Sequence, residues 1–111
     1  MTAPTYTARR RSYAHALMER ALSEAIRLTR RQCPEEGAAR RAGLQALRKE
    51  LRANMPTGDM TAALDALTEE YTYLAMDLQH AHLYGGEPEM EGRLSGLSAV
   101  IDELEFAALH N

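Results

Sequence analysis

Apolar residues return every three or four positions through most of this chain, in four separate stretches. A period near 3.6 gathers such residues on one face of an α-helix, whereas a half-buried strand needs strict alternation. The clearest stretch holds Leu64, Leu67, Tyr71, Leu74, Leu78 and Ala81 without a missed step. Another, with Met90, Leu94, Leu97, Ile101, Leu104 and Ala108, repeats the same alternation. Upstream, Ala14, Leu17, Met18, Ala21, Leu22, Ala25, Ile26 and Leu28 share one wide face. Leu44, Leu47 and Leu51 make a narrower stripe. β-Branched runs are missing, so the pattern supports no strand.

Three clusters that pair proline with glycine separate these stretches: Cys33-Pro34-Glu35-Glu36-Gly37, Asn54-Met55-Pro56-Thr57-Gly58-Asp59 and Gly85-Gly86-Glu87-Pro88. Proline lacks the N–H that a helix interior needs, and glycine weakens it. The spacing therefore predicts helices over about 8–32, 38–53, 59–84 and 88–109. Asp59 is a plausible N-cap for the third and Gly85 a plausible residue just past its end. Pro88 falls in the first turn of the fourth, where proline is tolerated. The expected fold is all-α: one four-helix, bundle-like domain over residues 1–111, made of two helical hairpins, with residues 1–7 flexible ahead of it.

Two features exceed what a simple bundle needs. The third helix carries a second apolar stripe, Tyr73, Met76, His80, Leu83 and Tyr84, facing away from its Leu64–Leu78 seam. A helix with two apolar faces is either central in its bundle or docked on another chain. The fourth helix carries Gly92, Gly96 and Ala99 on one side. Two mid-helix glycines, each costing roughly 1 kcal/mol against alanine, point to close approach by another helix, of this chain or of a second copy. Phe106 and Leu109 lie off the main seam and suggest burial against something at the C-terminus.

Charge sharpens the division into halves. The net charge of −3 conceals 12 basic and five acidic side chains in residues 1–54 against Arg93 and 11 acids in residues 55–111. Such a split fits two faces for two kinds of partner, or two halves that attract each other. The basic residues recur at helical spacing. Arg20, Arg27 and Arg31 line one side of the first helix, and Arg41, Arg48 and Arg52 one side of the second, with Gln45 between. If the two helices are neighbours, six guanidinium groups form a ridge suited to phosphates. Interleaved stacking aromatics and a helix-turn-helix signature are both missing from this region.

Catalytic chemistry has little to build on. Asp77, His80 and His82 are the only cluster with metal-ligand residue types, and His82 points away from the other two. The lone Cys33 sits near a helix C-terminus, which disfavours a thiolate. Gly85-Gly86 ends a helix, whereas phosphate-cradling loops open one. No apolar run approaches the roughly 20 residues that span a bilayer. One cysteine and no secretory leader point to a reducing cytoplasm. Twelve arginines to one lysine, with 19 alanines, point to a high-GC bacterial or phage coding sequence. The expected function is a non-catalytic protein–protein interaction module, an adaptor or inhibitor encoded by a phage or other mobile element. It needs no cofactor or metal and works as a homodimer. The interface candidates are Tyr73, Met76, His80, Leu83, Tyr84, Gly92, Gly96 and Phe106. The alternative is a small nucleic-acid-binding regulator that uses Arg20, Arg27, Arg31, Arg41, Arg48 and Arg52.

Overall fold

The described residues form four helices: α1 (Tyr6–Thr29), α2 (Pro34–Asn54), α3 (Met60–His82) and α4 (Pro88–Leu109). The computed structural model describes residues 6–32, 34–54, 60–82 and 87–110, with side-chain surroundings for 13–32, 34–54, 60–80 and 87–110. Among the described residues there is no strand, and no helix is long and apolar enough to cross a membrane. Cys33, Asp59, Leu83, Tyr84, Gly85 and Gly86 lie outside the described residues.

The α1–α2 turn is tighter than its sequence suggests. After Thr29 the backbone continues through i→i−3 hydrogen bonds, Arg30 to Arg27, Arg31 to Leu28 and Gln32 to Thr29, which tighten a helix end. α2 then starts at Pro34 rather than near Ala38. Proline's missing N–H is no loss at the first helical position, and Glu35 and Glu36 in the first turn suit the positive end of the helix. Gly37 is thus a helical residue in close contact, not a breaker. A Cβ there would stand 2.6 Å from the Thr29 carbonyl oxygen. Thr29, only 3% exposed, donates from its hydroxyl to the Ile26 carbonyl at 2.6 Å and accepts from Arg41 Nε at 3.1 Å.

The core runs along the bundle axis. Met18 and Leu22 of α1, Leu44, Leu47 and Leu51 of α2, Ala63 and Leu67 of α3, and Leu97, Val100 and Leu104 of α4 are all buried. Arg41 beside Thr29 and Arg52 beside Glu19 show that α1 and α2 run antiparallel. Arg20 beside Glu103, with Arg40 bonded both to Gln32 beyond the end of α1 and to Glu91 near the start of α4, gives α4 the direction of α2.

The centre of the bundle is α4, which packs against all three other helices, while α3 packs chiefly on α4. In an up-and-down bundle α2 and α4 are diagonal partners, yet here they make the closest contact. Glycine permits it. A Cβ at Gly43 would collide with the carbonyl of Glu89 and come 3.1 Å from the Arg93 nitrogen. A Cβ at Gly92 would collide with the Arg40 carbonyl and lie 2.7 Å from its Cα. The two backbones meet along this line. Consequently α4 buries a wider arc than one seam: Val100 and Ala107 are covered, while Ala108, expected inside, is exposed. The glycine strip of α4 therefore faces α2 of its own chain. Gly92 and Gly96, proposed from sequence as interface residues, are enclosed in the core.

Arg93 fastens three helices. Its guanidinium bonds to Glu50 of α2 and to Glu70 of α3, the latter at 3.0 Å. Burial works against its charge, and the two carboxylate bonds together outweigh that, raising its pKa. The one basic residue of the acidic half is thereby committed to holding α3 on the α2–α4 pair.

Candidate protein-docking groove

The close α2–α4 contact leaves α1 and α3 on opposite sides of α4, with the outer face of α4 open between them. On the α1 side lies a groove of about 820 Å³. Ala21, Ala25 and Leu28 of α1 form one wall, and Gly92, Ser95 and Ala99 of α4 the other. Leu44 closes the floor. Small side chains on both walls keep it open, and Leu28 stands 44% exposed in it. Leu28 belongs to the apolar face of α1 by spacing. It stays uncovered because the groove wall opposite offers only glycine, serine and alanine. A smaller recess of about 620 Å³ lies on the α3 side, lined by Tyr71, Leu78, Leu94, Ser95 and Ala99. Ser95, Ala99 and Asp102 border both, so the two hollows adjoin along one ridge of α4.

Charges of both signs rim the larger groove. Arg20 bridges to Glu103 at 3.0 Å across α1 and α4, Arg27 pairs with Glu24 on its own helix, and Arg40 reaches Glu91 at 2.9 Å and Gln32 at 3.0 Å. The basic and acidic halves of the sequence therefore attract each other within one molecule, at Arg20–Glu103 and Arg40–Glu91. A pocket of this size with an apolar floor and a polar rim is the form in which proteins receive an amphipathic helix or a small ligand. Among the described residues, no three His, Cys, Asp or Glu side chains stand close enough to share a metal ion. Asp77 and His80 are exposed on α3, and the His82 side chain lies outside the described residues.

The arginine ridge expected from sequence is not assembled as a free surface. Arg20, Arg27 and Arg52 are paired with Glu103, Glu24 and Glu19, and Arg41 donates to Thr29. Arg20 and Arg27 rim the groove and Arg41 reaches Thr29 in its lining, whereas Arg52 bonds to Glu19 outside it. Arg31 and Arg48 add their charge near Glu24 and Glu19. The Glu19 carboxyl is held below its ordinary range, first by its bond from Arg52, then against a smaller burial cost by the charges of Arg52, Arg48 and His15. A lowered carboxyl pKa contributes stability that is present above the unfolded value of 4.5 and lost as pH falls through the folded one. Glu19→Gln is therefore expected to lower stability above pH 4.5 by under about 1 kcal/mol, given its partial exposure. The difference from the parent should vanish in more acidic urea titrations. A gap that stays constant down to pH 2 would show that Glu19 acts by packing instead.

Of the remaining interface candidates, Tyr73 and Met76 are 62% and 60% exposed, and His80 is exposed beside them. The described part of the second stripe, Tyr73, Met76 and His80, is thus an outer surface, because α4 and not α3 occupies the centre. Phe106 is 62% exposed, its ring stacked on His110 with centroids 4.1 Å apart. Sequence reading missed Arg40 and Arg93, the two arginines that tie helices together, because neither falls in a basic stripe. It also missed Gly43, whose signal was available: a lone glycine at mid-helix beside a leucine stripe. Comparison with protein-family models, curated proteins and solved structures finds no match.

Proposed function

We propose that this chain is a non-catalytic helical interaction module, an adaptor or inhibitor that binds a protein target and also pairs with a second copy of itself. The observation that carries the reading is the α1–α4 groove: exposed Leu28 beside half-buried Ala25 and Ala99, over a floor closed by buried Leu44, with a rim of both charges. A target helix with one apolar edge and mixed-charge flanks fits that form, its apolar anchors covering Leu28, Ala25 and Ala99. The reading is preferred to nucleic-acid binding because four of the six stripe arginines, Arg20, Arg27, Arg41 and Arg52, already bond to a carboxylate or hydroxyl of this chain. A phosphate must compete with those partners at these four arginines. The single cysteine supports a reducing, cytoplasmic setting, and the arginine-rich composition supports a bacterial or phage source.

Photo-crosslinking in the native cells tests the groove. A benzophenone side chain at Leu28 is expected to give a discrete protein adduct, and the same group at exposed Gln45 on α2 none. Adducts of equal yield from both positions would reject the groove. Duplex DNA bound by the purified protein with a steep loss of affinity between 50 and 200 mM salt, of the size that 6–10 phosphate contacts give, would favour the regulator instead.

A further inference from the structure

The outer face of α3 points to a different occupant from that of the groove. Glu69, Tyr73, Met76 and His80 follow one another at spacings of four, three and four, so they share one stripe, and all four are exposed. None of them lines the groove. α3 holds no Lys or Arg, and its outer stripe is ordered acid, aromatic, thioether, imidazole. That order is complementary to itself when reversed. We propose that α3 pairs with α3 of a second copy, antiparallel and about a two-fold axis between Tyr73 and Met76. In that register Tyr73 lies opposite the second copy's Met76, and Glu69 opposite the second copy's His80, so every contact occurs twice.

Three observations select this occupant. A parallel pairing sets Glu69 against Glu69, and like charges face to face disfavour it. The antiparallel register instead gives each carboxylate an imidazole N–H, which donates to it whether the ring is neutral or charged. Tyrosine and methionine are residue types concentrated at interfaces, and a sulfur beside an aromatic ring is a favourable contact. Only one stripe per copy is buried, which places the interface at the small, transient end of the known range. The pairing leaves the α1–α4 groove open on each protomer. The inference therefore rests on the interaction-module reading only in its self-association, and the groove stands or falls separately.

The test is charge exchange read by sedimentation equilibrium of the full chain from 5 to 500 µM, with helicity followed by circular dichroism. All substituted positions are exposed, so the fold is retained. The parent is expected to show a concentration-dependent monomer–dimer equilibrium. His80→Glu, which sets two carboxylates opposite each other, should weaken the dimer at least tenfold. Glu69→Lys combined with His80→Glu should restore it to within about threefold, because the exchanged charges face each other again. Tyr73→Glu should abolish it. A parent that stays monomeric throughout, or a dimer that ignores His80→Glu and Tyr73→Glu, or one that the double exchange fails to restore, overturns the α3 pairing. The crosslinking result at Leu28 is unaffected in each case.

Discussion

Gly43→Ala and Gly92→Ala are each expected to lower the stability of the fold by about 2–3 kcal/mol, the cost of overpacking net of alanine's better helix propensity. The added methyl meets peptide backbone at both positions: Glu89 and Arg93 at Gly43, Arg40 at Gly92. Backbone cannot rotate out of the way, so α2 and α4 must separate, and the leucines between them lose contact. Gly96→Ala is the internal control. A Cβ there meets the ends of Leu44, Leu47 and Leu22 at 2.7, 2.8 and 3.0 Å, and these side chains can shift. Its cost should stay within about 1 kcal/mol, close to offset by the gain in propensity. For a chain of this size the first two variants should melt about 10 °C lower. Equal losses at positions 43 and 96 would show that side-chain crowding, not helix approach, sets the penalty.

Leu97→Ala should cost about 3 kcal/mol, within the range for a buried leucine whose site collapses only in part. Leu97 is fully enclosed on the helix that touches every other one, so no single neighbour can move in to fill the space. Against a total stability of 5–15 kcal/mol for a domain, that loss brings the protein near its unfolding threshold at growth temperature. Leu109→Ala removes the same atoms from a position 83% exposed and should change stability by less than about 0.5 kcal/mol. Urea denaturation of the pair measures the difference directly. A comparable loss at Leu109 would mean that the C-terminal end of α4 is covered in solution, as by a partner.

The helices were legible in the sequence because their signal is local. Leu67, Leu74 and Leu78 are spaced for one face, and that face is the one α3 turns inward. The start of α2 was misplaced by four residues for a local reason too. Pro34 and Gly37 carry the same chemistry whether they break a helix, open it or permit close packing, and only the neighbouring Thr29 carbonyl decides among these. The central place of α4 was not legible. Leu94, Leu97, Ile101 and Leu104 describe a single seam, whereas the second buried line, Gly92, Gly96 and Val100, is made largely of residues with nothing apolar to display. The glycine strip announced a close neighbour without naming it. Its neighbour is α2, through Gly43. The groove was legible only in part: Leu28 stands in the apolar face of α1 by spacing, but its exposure depends on the small wall of α4 opposite. The fate of the arginines was hidden for the opposite reason, since pairing Arg20 with Glu103 or Arg40 with Glu91 joins residues 83 and 51 positions apart and leaves no periodic trace.

The glycine contact between α2 and α4 also sets the order in which the molecule comes apart. Those two helices form a spine, and the free energy needed to separate them approaches that of global unfolding. α3 is held chiefly on one side of that spine and clasped near its middle by Glu70 on Arg93. Local opening should therefore begin with α3, at an energy well below the global value. Hydrogen exchange at the amides around Leu67 to Leu78 should be faster than at those around Leu44 to Leu51, although both helices are fully formed. A second copy seated on α3 would slow the first set and leave the second unchanged. The helix that offers the surface for self-association is thus the least firmly held one, and binding there would raise the cooperativity of the whole fold.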